Sequence, residues 1–476
     1  MHISSRSKVN IIVSLLVTSS FCLALVISAR SAVQAAGPHI SLSPNHGHPS
    51  ASVKVSGRAF GISETISINF DATSVGTAIT DGTGAFTTKI TIPSSALPGN
   101  HMVQATGQTS GLSASTGFLV QTNWTQFGFN EQHSHFNPYE NVLSSANVSG
   151  LTLDWSYTTD SYIRSSPVVV NGVIYIASSS GNLYAINLAT RVLLWSRNIG
   201  FYTDSSPSVA NGVVYIGSDD YRLYALNATT GTVLWTFTAN LYIETPPLVA
   251  SGVVYVGSDD YHLYALNATT GTVLWSFSAG NYIDASPTIA NGVVYVGSYD
   301  YKLYALNAKT GALLWSYATG GAIVFSSATV VNGVVYIGSN DNKLYAFNAT
   351  TGTLLWTYTT GGSIATDSPA AANGVVYIGS NDNKIYALKA KTGALLWSYA
   401  TGNSFNFSSP AVANGVVYIG STDNNLYAFN ATTGALLWSY TTGDRILSSP
   451  AVADGVVYTG SFDNKLYAFH LPGTTP

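Results

Sequence analysis

Residues 206–238 read SPSVANGVVYIGSDDYRLYALNATTGTVLWTFT, and close copies of this stretch fill most of the chain. Asn211-Gly212 is a two-residue hairpin turn, because Asn and Gly best tolerate the positive φ that such turns need. Short runs of Val, Ile, Tyr and Thr on both sides have the composition of β-strands. The stretch therefore predicts four antiparallel strands, at 206–210, 213–217, 222–227 and 232–238.

Tryptophan recurs in step with this unit at a spacing of 40 or 41 residues: Trp155, Trp195, Trp235, Trp275, Trp315, Trp356, Trp397 and Trp438. A period near 40–45 residues with about four strands per unit is typical of a β-propeller. Eight copies predict eight blades. We expect each indole to wedge between neighbouring blades and donate its N–H to a carbonyl, which is a structural role shared by all blades.

The two ends of the repeat region predict how the ring closes. The last copy stops at His470 without its tryptophan strand, whereas Leu153 to Tyr157, a copy of that strand, stands alone before the first complete unit. We expect this N-terminal strand to pair with Lys465 to Phe469 and complete the eighth blade. Closure of this kind leaves no open sheet edge at the join.

The residues before the repeats divide into three parts. Residues 1–36 predict a signal peptide, with Arg6 and Lys8 before an apolar run and small residues around Ala35. An uncleaved membrane anchor is the alternative, because the apolar run is nearly long enough to span a bilayer. Residues 37–121 alternate as short strands and predict an immunoglobulin-like β-sandwich. Residues 122–150 predict a connector packed on the propeller, which occupies 151–476.

Composition narrows the function classes. Cys22, the only cysteine, lies in the predicted signal peptide, so the remainder has no disulfide, thiol nucleophile or cysteine-bound metal. Beyond residue 36 the chain has 15 basic and 22 acidic residues, a formal charge of −7. This charge argues against nucleic acid as a partner. We expect an extracytoplasmic monomer, secreted or at the cell surface, that contacts a membrane only if the signal segment is retained.

The motif from Ala225 to Trp235, ALNATTGTVLW, resembles the tryptophan-docking repeat of pyrroloquinoline-quinone (PQQ) propellers, Ala-x-Asp-x-x-Thr-Gly-x-x-x-Trp. Asn replaces the Asp in most copies, and Arg191 replaces the Gly in the first. The resemblance covers roughly 155–470 and implies the eight-bladed fold. Residues 37–121 resemble the bacterial immunoglobulin-like modules that precede such propellers. The resemblance implies a family that includes both enzymes and non-catalytic members.

The resemblance also implies what an enzyme of this family would need. Catalytic members hold the quinone over calcium with Glu, Asn and Asp ligands, use an aspartate base, and in the alcohol dehydrogenases carry a vicinal cysteine pair. The cysteine pair is absent here, and no long insertion interrupts the repeats. We therefore expect no catalytic residue, no metal site and no cofactor. PQQ with calcium is the alternative.

Departures from repeat symmetry indicate where a binding site would lie. In the loop before each innermost strand, the first four blades carry Arg164, Asp204, Glu244 and Asp284, and the others Phe325, Thr366, Phe407 and Leu447. Two residues earlier stand Tyr162, Tyr202, Tyr242, Tyr282, Ile323, Ile364, Phe405 and Arg445. These residues predict a channel mouth with a polar and an apolar half, suited to a cation, a sugar or a peptide. A solvated rim with a weak Arg164–Asp204 pair is the alternative.

Other polar groups are expected to be structural. The Asp219-Asp220 and Asp259-Asp260 turns should satisfy their own backbone, and His133 and His135 lack an obvious third metal ligand. We expect an exported, non-catalytic binding or scaffold protein whose propeller face contacts a protein, glycan or small molecule. The alternatives are a PQQ- and calcium-dependent oxidoreductase and an envelope assembly factor like the barrel-assembly propeller lipoprotein.

Overall fold

The computed structural model describes residues 37–474, and the chain from Pro38 onward forms one compact unit. The predicted signal peptide lies outside the described residues. Within 37–474, no helix is long and apolar enough to cross a membrane. The described part is all-β, as predicted, with a single turn of 3-10 helix at Val148–Gly150.

A small β-sandwich comes first. Its strands are β1 His39–Ser43, β2 His46–Gly47, β3 Ser52–Arg58, β4 Thr65–Phe70, β5 Thr73–Ile79, β6 Phe86–Thr91, β7 Gly99–Gly107 and β8 Ser113–Val120. One sheet has the order β1-β3-β6 and the other β2-β8-β7-β4-β5. Alternate residues of β3 and β4 are buried, so Val53, Val55, Ile66 and Ile68 form a core shared by the two sheets.

Eight blades of four antiparallel strands follow, one of them extended by a short fifth strand, and they confirm the predicted propeller. Strand β9 is Phe136–Asn137, and β10 is Thr152–Thr158. The innermost strands are β11 Val168–Val170, β15 Ser208–Ala210, β19 Leu248–Ala250, β23 Thr288–Ala290, β27 Thr329–Val331, β31 Ala370–Ala372, β35 Ala411–Ala413 and β39 Ala451–Ala453. The second strands are β12 Val173–Ser178, β16 Val213–Gly217, β20 Val253–Gly257, β24 Val293–Gly297, β28 Val334–Gly338, β32 Val375–Ser380, β36 Val416–Gly420 and β40 Val456–Gly460.

The outer half of each blade has the same regularity. The third strands are β13 Asn182–Asn187, β17 Arg222–Asn227, β21 His262–Asn267, β25 Lys302–Asn307, β29 Lys343–Asn348, β33 Lys384–Lys389, β37 Asn425–Asn430 and β41 Lys465–His470. The outermost strands of blades 1–7 are β14 Leu193–Asn198, β18 Val233–Thr238, β22 Val273–Ser278, β26 Leu313–Ala318, β30 Leu354–Thr359, β34 Leu395–Ala400 and β38 Leu436–Thr441.

Strand β10 supplies the missing outermost strand of blade 8. It pairs antiparallel with β41, with Leu153 opposite Phe469 and Tyr157 opposite Leu466. The predicted closure is therefore confirmed. Because the first strand and the last blade join in one sheet, neither end of the repeat region is left as an unpaired edge.

Adjacent blades interlock through the repeated tryptophans. Trp235 Nε1 and the Tyr215 hydroxyl both donate to the carbonyl of Ala268 in the next blade, at 3.0 and 3.1 Å. The indole also lies against Gly271, where a Cβ would stand 2.5 Å from a ring carbon, and Gly271 has a φ of +71°. Only glycine suits this contact and this backbone. Seven of the eight tryptophans donate to a backbone carbonyl in this manner.

Residues 124–137, here called the plug, run once around the channel and bond to every blade in order. Trp124 pairs with Val169 of blade 1 in both directions, at 2.8 and 2.9 Å. Gln126 Oε1 accepts from the N–H of Val249 in blade 3, and Asn137 Nδ2 donates to the carbonyl of Val452 in blade 8. The carbonyls of Thr125, Glu131, Gln132, Ser134 and His135 accept from the N–H groups of Val209, Ile289, Val330, Ala371 and Val412 in blades 2, 4, 5, 6 and 7.

The plug solves a problem inherent in the propeller. Each innermost strand is an edge whose inward N–H groups would otherwise be buried without a partner. The plug supplies those partners over 14 residues, and β9 adds a fifth strand to the blade 7 sheet. Phe127, His133 and His135 of the plug are buried. The plug therefore closes the channel, and the opposite end is left as a mouth.

Candidate functional site

The mouth of the channel is a small cup with a cavity volume of about 50 Å³. Phe127 of the plug lines it from below. Its walls bring together seven of the eight predicted ring residues: Arg164, Asp204, Glu244, Asp284, Phe325, Thr366 and Phe407. Serines at the start of the innermost strands also line the cavity. One half of the cup is thus acidic and the other half aromatic.

Regular strand positions hold these side chains in place. Each ring residue lies in the loop that enters an innermost strand. The residue two positions later is a serine in seven of the eight blades. The serine of one blade bonds to the next around the channel, for example the Ser166 N–H to Ser206 Oγ at 2.8 Å and the Ser327 N–H to Ser368 Oγ at 2.9 Å. These bonds fix the distance between neighbouring loops, so the ring residues project from a rigid frame.

Arg164 crosses from the acidic half to the aromatic half. Its Nη1 forms an ion pair with Asp204 Oδ2, and its guanidinium carbon lies 3.8 Å from the ring centre of Phe407 and 5.1 Å from that of Phe325. Burial raises the pKa of Asp204, although Arg164 opposes that rise. The cup therefore already holds one guanidinium, by an ion pair and by cation–π contacts.

Four further carboxyl groups, Asp219, Glu244, Asp259 and Asp284, form an acidic wall in blades 2–4. Within residues 37–474, none of the four forms an ion pair with a basic side chain. Burial, followed by neighbouring carboxylates, raises the pKa of Glu244 to about 7 and that of Asp219 to about 7. The same two causes raise the pKa of Asp284, whose closest acidic neighbour is Asp259. The wall repels itself and attracts cations.

The acidic wall also has unused hydrogen-bond capacity. One carboxylate oxygen in each of Asp219, Asp259 and Asp284 is buried without a hydrogen-bond partner. Asp284 is only 5% exposed and lines the cup. Buried polar atoms without partners are rare in folded proteins and call for a ligand, an ion or a water molecule. The wall therefore has both the charge and the free acceptors to bind a donor that carries positive charge.

The predicted tyrosines and Arg445 lie outside the cup, at the rim. The hydroxyls of Tyr162 and Tyr202 are 3.1 Å apart, while Tyr242 and Tyr282 are 40% and 37% exposed. Arg445 is exposed, with its guanidinium carbon 4.3 Å from the ring centre of Phe462. None of these five residues lines the cavity itself.

The apolar half of the mouth differs from its predicted arrangement. Ile323, Ile364 and Phe405, expected beside the tyrosines, are fully buried, and so is most of Leu447. The backbone bonds of Ile323 and Ile283 match, since each N–H donates to the carbonyl of the serine that follows the second strand of the preceding blade, Ser298 and Ser258. Blades 5–7 therefore carry one additional residue in this loop, which accounts for their 41-residue spacing and moves these side chains into the core.

Sequence reasoning missed three residues of this region. Asp219 and Asp259 were expected to cap their own turns. Instead the second carboxylates of those turns, Asp220 and Asp260, accept from Tyr224 and Tyr264 at 2.5 and 2.6 Å and do the capping. Blades 5–8 carry Asn340, Asn381, Thr422 and Phe462 where these two aspartates stand. That asymmetry was the available signal; nothing in the repeat could have indicated Phe127.

The described residues do not form a metal site. Among the described residues, no group of three or more His, Cys, Asp or Glu is placed to hold a metal ion. Burial lowers the pKa of His133 and lowers that of His135 to about 3. His133 Nδ1 lies 3.0 Å from Thr288 Oγ1. Both imidazoles are therefore neutral parts of the plug.

Residues 141–220, 200–285, 278–408 and 404–474 match a family model described as outer membrane protein assembly factor BamB. The crystal structure of BamB from Moraxella catarrhalis has a TM-score of 0.58 and 20% identity, and covers 67% of this chain and 99% of that one. None of the curated proteins matches the chain.

Two dehydrogenases share the fold. The quinohemoprotein alcohol dehydrogenase from Comamonas testosteroni has a TM-score of 0.64 and 17% identity, over 75% of this chain and 81% of that one. A europium-containing methanol dehydrogenase has a TM-score of 0.63 and 15% identity, over 74% of this chain and 98% of that one. At such identities the likeness shows the fold alone.

The cup does not fit pyrroloquinoline quinone. A site for a whole cofactor usually has about 300–1,000 Å³, whereas this cup has about 50 Å³ above Phe127. The quinone carries three carboxylates, which Asp204, Glu244 and Asp284 would repel. The space suits a few water molecules or the charged end of one side chain.

Proposed function

Because the chain belongs to the family described as outer membrane protein assembly factor BamB, we propose that it is an extracytoplasmic, non-catalytic binding protein that takes a positively charged organic group into the cup of its propeller. The family description supports a role in protein interaction. The predicted signal peptide supports a location outside the cytoplasm. The residues of the cup decide what it binds.

The observation that carries the proposal is the acidic wall. None of its four carboxyl groups has a basic partner in the described chain. Glu244 and Asp284 line the cup, and one oxygen of Asp284 is buried without a hydrogen bond. An ammonium or guanidinium group would satisfy that oxygen, and the aromatic half would contact its face. Arg164, which is held by Asp204 and Phe407, is an internal example of the same recognition.

Isothermal titration of the purified protein with Nα-acetyl-L-argininamide, here called argininamide, tests this function, with the neutral Nα-acetyl-L-citrullinamide as the matched probe. We expect argininamide alone to bind, with one site per chain. Glu244→Gln should weaken that binding by about tenfold or more, which is the effect of removing one buried charge partner. Asp444→Asn removes an exposed carboxylate from the blade 8 rim and should leave binding unchanged.

Two results would contradict the proposal. Equal binding of the two amides would show that charge does not matter, and binding insensitive to Glu244→Gln would place the ligand elsewhere. Titration with pyrroloquinoline quinone, with and without calcium, tests the oxidoreductase alternative. Tight one-to-one binding of the quinone would favour that alternative over the function proposed here.

A further inference from the structure

Outside the acidic wall, four exposed tyrosines form two aromatic pairs, here together called the tyrosine ledge: Tyr221, Tyr242, Tyr261 and Tyr282. They are 37–41% exposed. Tyr221 and Tyr242 have ring centres 5.2 Å apart, and Tyr261 and Tyr282 have ring centres 5.3 Å apart. Two aromatic pairs on adjacent blades therefore stand at the rim on the same side as the acidic wall.

Two of the ledge tyrosines, Tyr221 and Tyr261, occupy a turn position that blades 5–8 give to asparagine. Tyr221 and Tyr261 have φ values of +72° and +74°, and the equivalent turns of blades 5–8 carry Asn342, Asn383, Asn424 and Asn464. A bulky side chain in the left-handed region is unfavourable relative to Asn. The tyrosines are therefore not a requirement of the turn.

The cup and the ledge differ in what they can hold. The cup has room for the charged end of a side chain, at about 50 Å³, so the rest of any larger ligand must lie outside it. Tyrosine offers large, rigid and amphipathic contact area at a low cost in conformational entropy, which suits it to peptide and protein contacts. An apolar or backbone segment laid across these rings would be joined directly to the group in the cup.

We propose that the ligand is a polypeptide segment that inserts one arginine or lysine side chain into the cup while its flanking residues lie on the tyrosine ledge. This inference rests on the proposed function, because it assumes that the cup takes a cation. It adds the chemical class of the partner. Two observations support it independently of charge alone: the unpartnered Oδ1 of Asp284, 95% buried and facing the cup, and the exposed aromatic pairs beside it.

Titration with acetyl-Ala-Leu-Arg-Pro-Ala-amide tests this inference, with argininamide and the citrulline form of the peptide as references. We expect the arginine peptide to bind about tenfold tighter than argininamide, since flanking contacts add to the same charged anchor. The double variant Tyr242→Ser, Tyr282→Ser should lose that gain and keep argininamide binding. Leu234→Ser removes an exposed apolar side chain from the outermost strand of blade 2 and should change neither.

Three other outcomes would each contradict a different part of these proposals. If the peptide binds no tighter than argininamide, or if the gain survives the tyrosine substitutions, the polypeptide inference is wrong and the cation site stands. If spermidine binds tighter than the peptide and depends on the same tyrosines, the partner is a polyamine instead. If neither argininamide nor the peptide binds, the proposed function fails as well.

Discussion

The two ends of the channel differ in how buried backbone groups and carboxylates are paired, although His135 of the plug also keeps both ring nitrogens without a hydrogen-bond partner. At the plugged end, the middle residue of each innermost strand bonds to the plug, from Trp124 at blade 1 to Asn137 at blade 8. At the mouth, Asp219, Asp259 and Asp284 keep buried oxygens without partners. Natural proteins retain such unfavourable groups where function needs them. The hydrogen bonds that stabilise the ring are therefore concentrated at the plugged end, and the unpaired carboxylates that can bind a ligand are at the mouth.

The largest effect should come from the plugged end. Asn137 is fully buried, donates to the carbonyl of Val452 at 2.9 Å and accepts from the N–H of Tyr139 at 2.9 Å. Asn137→Ala leaves the Val452 carbonyl buried without a partner and removes the bond to the part-buried Tyr139 N–H, so it should lower the free energy of unfolding by about 3 kcal/mol. Denaturant unfolding measures the change, and exposed Asn198→Ala is the control. The Asn137→Ala variant should still bind argininamide. Loss of that binding would show that the plugged end and the mouth are not independent.

The next effect concerns an acid near the mouth that does not line the cup. Asp367 is fully buried, and neither carboxylate oxygen has a hydrogen-bond partner. Five of the other seven blades carry serine at this position, and Ser408 Oγ accepts from the Gly420 N–H at 2.9 Å. Asp367→Ser should restore such a bond to Gly379 and raise the free energy of unfolding by about 2 kcal/mol at pH 8.

The gain from Asp367→Ser should depend on pH. Burial raises the pKa of Asp367 in the folded state, so the native protein loses stability as pH rises above the ordinary carboxyl range. The benefit should therefore be smaller at pH 5 than at pH 8. Ser408→Asp should have the opposite sign. A benefit that grew toward low pH would show that Asp367 is held as a favourable carboxylate.

Glu244→Gln should stabilise the protein while it weakens the binding of argininamide. Burial and the neighbouring Asp219, Asp259 and Asp204 raise the pKa of Glu244 to about 7, against the opposing charge of Arg164. The native protein therefore loses stability between about pH 4.3, the ordinary glutamate pKa, and pH 7. The variant should be about 1–2 kcal/mol more stable at pH 8, after allowance for solvent screening, and equal to the parent at pH 4.

Thermal unfolding at the two pH values checks this prediction beside Asp444→Asn, which should show no such difference. A destabilising effect of Glu244→Gln at pH 8 would mean that its carboxylate stabilises the fold. The mouth and the plugged end would then not differ in the way described.

The smallest effect concerns backbone conformation at the mouth. Tyr301 has a φ of +71° where blades 5–8 have asparagine. Tyr301→Asn should raise the free energy of unfolding by about 0.5–1 kcal/mol, because Asn tolerates the left-handed region better. The reciprocal Asn342→Tyr should lower it by a similar amount. Denaturant unfolding measures both changes. Equal stability of the parent and the two variants would show that the backbone conformation at this turn does not affect the stability of the mouth.

The repeats made most of the fold predictable. The tryptophan spacing, the Asn-Gly turns and the stray strand from Leu153 to Tyr157 specify local hydrogen bonds that recur eight times, so a single sequence contains eight examples of each. The ring from Arg164 to Asp284 could be located for the same reason. A residue that departs from an otherwise regular pattern stands out without any structural information.

The rest depended on contacts that no repeat encodes. The plug has no internal periodicity, and its bonds are set by strands up to 315 residues away, as for Asn137 and Val452. Asp160 shows the same limit. Blade 1 lacks the capping aspartate of its turn, and Asp160, from the end of the closing strand, accepts from Ser180 and Tyr184 in its place. The capping carboxylate of blade 1 thus occupies the same site in space but comes from a different position in the sequence.

The path of the plug has a consequence for how the chain reaches this structure. Repeat proteins whose units contact only their neighbours fold in steps and tolerate the loss of a unit. Here a segment that precedes every blade in the chain is bonded to all eight, and the last of those bonds waits for blade 8. Contacts this distant in sequence slow folding. We therefore expect the ring to fold as one cooperative body, with no stable intermediate of fewer blades.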